Sequence, residues 1–197
     1  MKLVEKTFIG KDILRAANDF AALRISIFHE FPYLYEGTME YELDYITTYS
    51  SCPDALLFGL FDGDKMVGAT TCLPLSAETP EVRLPFDNAT LDHSKYLYLG
   101  ESILDKKYRG QGYGKRFFEV REQHASRLNL PQTCFCSVER PMNHPLKPTN
   151  YLDNSIFWNK QGYTKHQKLR CEMEWLDINE DVETSKQLIF WIKTLPK

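Results

Sequence analysis

The run Arg109-Gly110-Gln111-Gly112-Tyr113-Gly114 is the part of this chain whose residue types and spacing point most directly to chemistry. Its alternating glycines strip side chains from the backbone and permit positive φ. Tyr96 to Leu104 reads as a strand before it. Gly112 to Leu128 reads as a helix after it, with Phe117, Val120, His124 and Leu128 on one side. At a strand-to-helix turn the first helical N–H groups lack partners inside the helix, and the helix dipole adds positive potential. Such a turn invites an anion. Arg109 and Lys115 add charge beside it, so a pyrophosphate fits. R-x-x-G-x-G alone would arise in roughly one chain in twenty of this length, so the flanking strand and helix carry the argument. The spacing G-x-G-x-G departs from the dinucleotide fingerprint G-x-G-x-x-G, and no G-x-x-x-x-G-K-[ST] is present. Readings as an NAD or ATP site lose ground accordingly.

A second constellation lies downstream. Asn154-Ser155-Ile156-Phe157-Trp158-Asn159-Lys160-Gln161-Gly162-Tyr163 combines an asparagine, a short helix and a Gly-aromatic end. In order and spacing the two motifs together resemble the GNAT superfamily of acyl-CoA N-acyltransferases. There R/Q-x-x-G-x-G/A opens a helix whose N-terminus holds the coenzyme A pyrophosphate. Arg109, Gly112 and Gly114 stand at the defining positions. The specific motifs occupy Tyr98 to Tyr163, and the order of elements agrees over nearly the whole chain.

The resemblance implies a single N-acetyltransferase domain over residues 1–197. It implies an α/β (α+β) fold with a mixed, largely antiparallel central sheet of about seven strands, splayed at the cofactor site and flanked by helices. Acetyl-CoA is the implied cofactor, with Arg109, Gly110, Gln111, Gly112, Tyr113, Gly114 and Lys115 around its pyrophosphate. Backbone groups of Ile103 and Leu104 would pair with the pantetheine arm, and Asn154 and Trp158 would come from the second motif. Family members often carry a tyrosine there as general acid for the departing thiolate, but Trp158 stands in this chain. An indole N–H donates a hydrogen bond and does not readily yield its proton. Tyr151, Tyr163, helix dipoles or water are the remaining sources of stabilisation.

On the acceptor side, an amine with a pKa near 10.4 is mostly protonated at pH 7, a penalty of roughly 4–5 kcal/mol. A base or a water chain is needed. Glu101, just before the glycine turn, is the carboxylate closest in sequence to the expected acetyl group, with Tyr98 in reserve. Glu139, at the end of the opposing strand, is a second carboxylate of the acceptor region. Phe31, Tyr33 and Tyr35 fall in the connection between the first two helices, a pocket wall in similar proteins, where they could hold an aromatic or cationic substrate. His144, in a proline-rich loop, reads as a solvated histidine.

Several elements must position these groups. Asp12 to Phe28 reads as a helix capped by Asp12, and Glu36 to Thr48 as a second. Ala55 to Phe61 and Met66 to Leu73 flank Asp62-Gly63-Asp64 as a hairpin. Pro74 to His93 reads as irregular and as a candidate lid. Thr133 to Val138 is a strand and Asn154 to Gln161 a short helix. A final hairpin pairs the alternating segment Leu169 to Trp175 with Lys186 to Leu195. An apolar side of that hairpin carrying Ile189 and Trp191 could support a homodimer.

Composition narrows the class. With 43% hydrophobic and 26% charged residues the chain is a globular protein, neither disordered nor membrane-spanning. A net charge of -3 and scattered lysines and arginines leave no basic patch for nucleic acid, which also argues against a ribosome- or tRNA-directed enzyme. The start Met1 to Thr7 is too charged for a secretory leader, so a cytoplasmic protein is expected. Five cysteines without C-x-x-C spacing read as reduced thiols, and no metal site is expected. The expected function is direct transfer of acetyl from acetyl-CoA to a primary amine of a small molecule or peptide. The alternative is a non-catalytic acyl-CoA-binding regulatory module.

Overall fold

Along β4 (Tyr96–Leu104) Leu97 and Leu99 turn to one face and Tyr96 and Tyr98 to the other, and all four are buried. A strand buried on both sides needs cover on both faces. A computed structural model describing residues 3–196 supplies it. Helices α1 (Ala17–Phe28), α2 (Met39–Ser51) and α3 (Pro80–Asn88) cover one face, where Phe20, Ile46, Tyr49 and Phe86 pack with Tyr96 and Tyr98. Helices α4 (Tyr113–Arg127) and α5 (Ser155–Lys160) cover the other, where Phe117, Phe118, Phe157 and Trp158 pack with Leu97 and Leu99.

The remaining strands are β1 (Val4–Ile9), β2 (Leu56–Asp62), β3 (Lys65–Pro74), β5 (Gln132–Val138), β6 (Thr164–Trp175) and β7 (Thr184–Thr194). They join β4 in one seven-stranded sheet ordered β1-β2-β3-β4-β5-β7-β6. Every neighbouring pair is antiparallel except β4 and β5, whose α4 crossover makes them parallel. The mixed, largely antiparallel sheet with flanking helices is therefore present as expected.

Differences from the expected elements have local causes. β1 shows little apolar periodicity because it is a mostly exposed edge strand, registered by its ladder to β2 and carrying Glu5 and Lys6. Residues 10–16 form a 3-10 segment, so Asp12 does not cap the first α-helix; Ala16 precedes it without a side-chain cap. The second helix begins three residues later than Glu36, at Met39, because the Thr38 side chain accepts from the Tyr41 N–H. Within 74–93, read as irregular, α3 forms: Pro80 suits the first helical turn, and Val82 and Phe86, one turn apart, are both buried. Ile189 and Trp191 are 1% and 3% exposed, Trp191 packing against Trp158 of α5. These two side chains therefore present no exposed apolar surface. Among the described residues no helix is long and apolar enough to cross a membrane.

Candidate active site

β4 and β5 pair only at Tyr96–Gln132, Leu97–Thr133 and Tyr98–Cys134. Beyond that point β4 stays with β3 and β5 with β7, so the sheet is splayed. A bulge sharpens the parting: Thr70 faces Ser102 while Cys72 faces Leu99, leaving Gly100 and Glu101 opposite Thr71 alone. The Glu101 carbonyl accepts instead from Thr70 Oγ1 at 2.5 Å and from Arg121 Nη1, reaching up from α4, at 3.2 Å. Gly100 has no room for a Cβ, because the Tyr49 hydroxyl and Thr71 Oγ1 occupy its place.

At the far end of β4, a 3-10 turn leads into the glycine run. Gly112 adopts φ +91° as N-cap of α4, and Gly110 adopts φ +77°. A Cβ at either would meet nothing within 4 Å, so the backbone lies open to an incoming group. The first intrahelical bond runs from the Arg116 N–H to the Gly112 carbonyl at 3.1 Å, leaving the N–H groups of Tyr113, Gly114 and Lys115 ahead of it. Arg109 donates to the Leu104 carbonyl at 2.9 Å and to Glu30 at 3.2 Å; Lys115 pairs with Glu119 at 3.6 Å. Gln111 donates to the Lys107 carbonyl at 3.1 Å, which braces the turn. Gly114 sits against Phe157 of α5, tying the two motifs together. Open glycine backbone, unpaired helical N–H groups and exposed cations fit a pyrophosphate.

On the α1–α3 face of the splay lies a cavity of about 310 Å3. Tyr33, Tyr35, Tyr41, Tyr45, Tyr98 and Trp175 give it aromatic walls; Glu78, Glu81, Glu101 and Glu174 bring carboxylates to it, and Arg24 a guanidinium. Glu101 is 4% exposed and pairs with Arg24, which also pairs with Glu42 and stacks 4.1 Å over the Tyr45 ring. Glu101 accepts further bonds from Tyr45 at 2.6 Å and from Thr71. Tyr98 places its hydroxyl 3.0 Å from Cys136 Sγ, across the parting of the strands. Burial pushes its phenol well above the ordinary value, aided by Cys136 and Glu78, so Tyr98 stays neutral and is no base near pH 7.

The remaining expected residues fall around this centre. Arg140 clamps the connection of Tyr33 and Tyr35, donating to the carbonyls of Pro32 at 2.8 Å and Tyr33 at 2.6 Å, with a bidentate pair to Asp177. Phe31 lies outside the cavity, edge-on to Tyr151 at 4.7 Å. Glu139 lies outside it too, held by Arg170 at 2.8 Å and Lys165 at 3.5 Å of β6. Ile103 is buried in the core, while Leu104 is partly exposed. Asn154 and Trp158 line a smaller cavity of about 70 Å3 beside Ser137 and Val138, on the parted half of β5. Trp158 packs edge-on to Phe135 and Trp191, each at 5.1 Å.

Arg24, Tyr45, Tyr49 and Glu78 were not singled out from the sequence. Arg24 within the apolar stripe of α1 is the signal that was there to find, because a charge on a buried face needs a partner.

Comparison with known proteins agrees with this geometry. The model of the acetyltransferase (GNAT) family matches residues 20–148, and the chain belongs to that family. Among solved structures, the N-acetyltransferase from Staphylococcus aureus Mu50 aligns with a TM-score of 0.60 at 11% identity, over 98% of this chain and 99% of that one. The putative N-acetyltransferase from Lactobacillus plantarum aligns at 0.55 and 15% identity over 100% of both. The ribosomal-protein-alanine N-acetyltransferase from Brucella melitensis gives 0.61 and 11% identity, over 98% of this chain and 100% of that one. At these identities the likeness shows the fold alone. No curated protein matches the sequence.

Proposed function

We propose that this acetyltransferase uses acetyl-CoA and moves its acetyl group directly to a primary amine of a small molecule or peptide. The observation that carries the reading is the splay beyond Tyr98 and Cys134, with the open glycine turn beyond the end of β4 and the aromatic, acidic cavity beside the parting. The pyrophosphate rests on the N–H groups opening α4, with Arg109 and Lys115 swinging from Glu30 and Glu119 toward it. Its pantetheine arm follows the unpaired edges of Ile103–Leu104 and of Ser137–Val138, past Asn154 and Trp158. Four carboxylates against one guanidinium suit a cationic acceptor, and the Tyr33, Tyr35 and Trp175 rings suit its ammonium. When bound, the thioester supplies the electrophilic carbonyl carbon. The chain holds the amine against it, keeps Glu101 fixed through Arg24, and places the Tyr98 hydroxyl beside the gap. A cytoplasmic location is part of this proposal.

Two measurements test it. Acetyl-CoA at 100 times its dissociation constant stabilises a protein by about 2.7 kcal/mol, which is several degrees of melting temperature for a chain of this size. No rise at millimolar acetyl-CoA removes the cofactor assignment. A rise without acetyl transfer to any of a broad panel of amines would leave a binding module rather than an enzyme.

A further inference from the structure

The four carboxylates of the cavity differ in what already occupies them. Glu81 and Glu174 are exposed. Glu101 accepts from Arg24, Tyr45 and Thr71, so its lone pairs are largely taken. Glu78, in the turn after β3, is 7% exposed and borders the cavity. Its Oε2 accepts from the Thr79 N–H at 2.8 Å, while among the described residues Oε1 has only the Tyr49 hydroxyl, 3.4 Å away. The Tyr49 hydroxyl lies 3.1 Å from that of Tyr45, which donates to Glu101 at 2.6 Å. A line of hydroxyls thus joins the free side of Glu78 to the occupied Glu101 beneath the bulge at Gly100.

We propose that Glu78 is the general base of the acetyl-transfer site, receiving a proton from the acceptor's ammonium at Oε1, with Tyr49 and Tyr45 linking it to Glu101. This rests on the acetyl-transfer reading above. The ammonium gives one proton to Glu78. The freed lone pair forms the C–N bond at the thioester carbonyl carbon, whose π pair moves to oxygen. Return of that pair breaks the C–S bond, sulfur leaves with the bonding electrons, and the second excess N–H proton goes to sulfur. Glu78 then releases its proton to water at the cavity mouth. Ammonium and thioester have become amide, thiol and one proton.

The surroundings suit that role. Burial raises the Glu78 carboxyl above the usual carboxylate range, against the lowering pull of the Thr79 N–H, Tyr49 and Arg24, while Glu81 adds repulsion. Tyr45 and Tyr49 face it from α2, Arg24 from α1, Glu81 from α3, Tyr98 from β4, and Cys134 and Cys171 from β5 and β6. Burial raises the phenols of Tyr45, Tyr49 and Tyr98 and the Cys134 thiol, and a hydrogen bond with Cys136 followed by burial raises Cys171. These five groups stay neutral near pH 7.

The test is steady-state transfer from acetyl-CoA to tyramine, 1,5-diaminopentane and a peptide with a free N-terminus, by the full chain and by Glu78→Gln and Glu78→Ala. Glu78→Gln should keep the acetyl-CoA thermal shift and lose about 10²- to 10⁴-fold in kcat. Wild-type kcat should rise with pH through a titration above the usual carboxylate range, because the base must be ionised; Glu78→Gln should lack that limb. Formate should restore part of the Glu78→Ala rate, which a packing role would not produce. A Glu78→Gln kcat within about threefold of wild type, an unaltered pH limb, or a Glu78→Ala rate indifferent to formate overturns the assignment alone. Wild-type silence toward all three amines overturns acetyl transfer itself, and the proton path with it.

Discussion

Tyr98 and Cys134 form the last Cα pair between the parallel strands β4 and β5, and the Tyr98 hydroxyl then reaches 3.0 Å from Cys136 Sγ, two residues further along the parted strand. One side chain bridges the gap that its own backbone leaves open. The aromatic and acidic cavity borders this bridge, and the glycine turn follows the end of the same strand β4; under the proposed function, thioester and amine would meet along the parting.

Gly112→Val forces a β-branched residue into φ +91°. The left-handed conformation costs an L-residue roughly 1–2 kcal/mol, to be read from urea unfolding. A Cβ meets nothing in the free protein, so the larger effect falls on the ligand. The acetyl-CoA thermal shift should vanish in the variant; an undiminished shift would place the pyrophosphate elsewhere.

Arg24→Met removes the cation shared by Glu42 and Glu101, both buried. Breaking a buried pair by taking away one partner costs about 3–5 kcal/mol, since the other charge stays behind. Denaturant midpoints should fall accordingly. Adding Glu42→Gln to Arg24→Met should recover part of the loss.

Asp177 gives a pH dependence. Burial works to raise its carboxyl, but hydrogen bonding and charge from Arg140, then Lys186, prevail and hold it below the ordinary value of 3.8. A lowered folded pKa means stability fully present above the unfolded value and lost as pH falls through the folded one. The urea midpoint of wild type should therefore exceed that of Asp177→Asn by a constant margin from pH 7 down to about 5. That margin should shrink only at lower pH. A margin that closes between pH 6 and 5 would contradict the pairing.

Trp158 tests the missing family tyrosine. Its packing against Phe135 and Trp191 on a half-exposed helix predicts a cost of about 2 kcal/mol for Trp158→Ala, below the 3–5 of a fully buried ring. Trp158→Phe keeps the packing and loses the indole N–H. Its kcat should stay within about threefold of wild type; a hundredfold fall would put that N–H at the leaving sulfur.

Elements with strong local signals were legible in the sequence. Tyr96–Leu104 forms as read, the hairpin around Gly63 forms within a residue or so, and α4 opens at Gly112 as expected. The glycine turn was legible for a further reason: its positive φ angles, open backbone and leading N–H groups are set by residues adjacent in the chain. Strand β1 and helix α3 were not, because β1 depends on its ladder to β2, and the prolines of α3 read as breakers until Phe86 finds Tyr96 and Phe190. The acceptor side depended on tertiary structure altogether. Arg24 and Glu101 are 77 residues apart, and Tyr49 and Glu78 are 29 apart. Whether Glu101 is free or paired, and whether Glu78 is exposed or buried, follows from how α1 and α2 settle over the bulge in β4. A carboxylate's chemistry is set by the donors and solvent around it, and those are supplied by distant segments, whereas a helix N-terminus carries its own field.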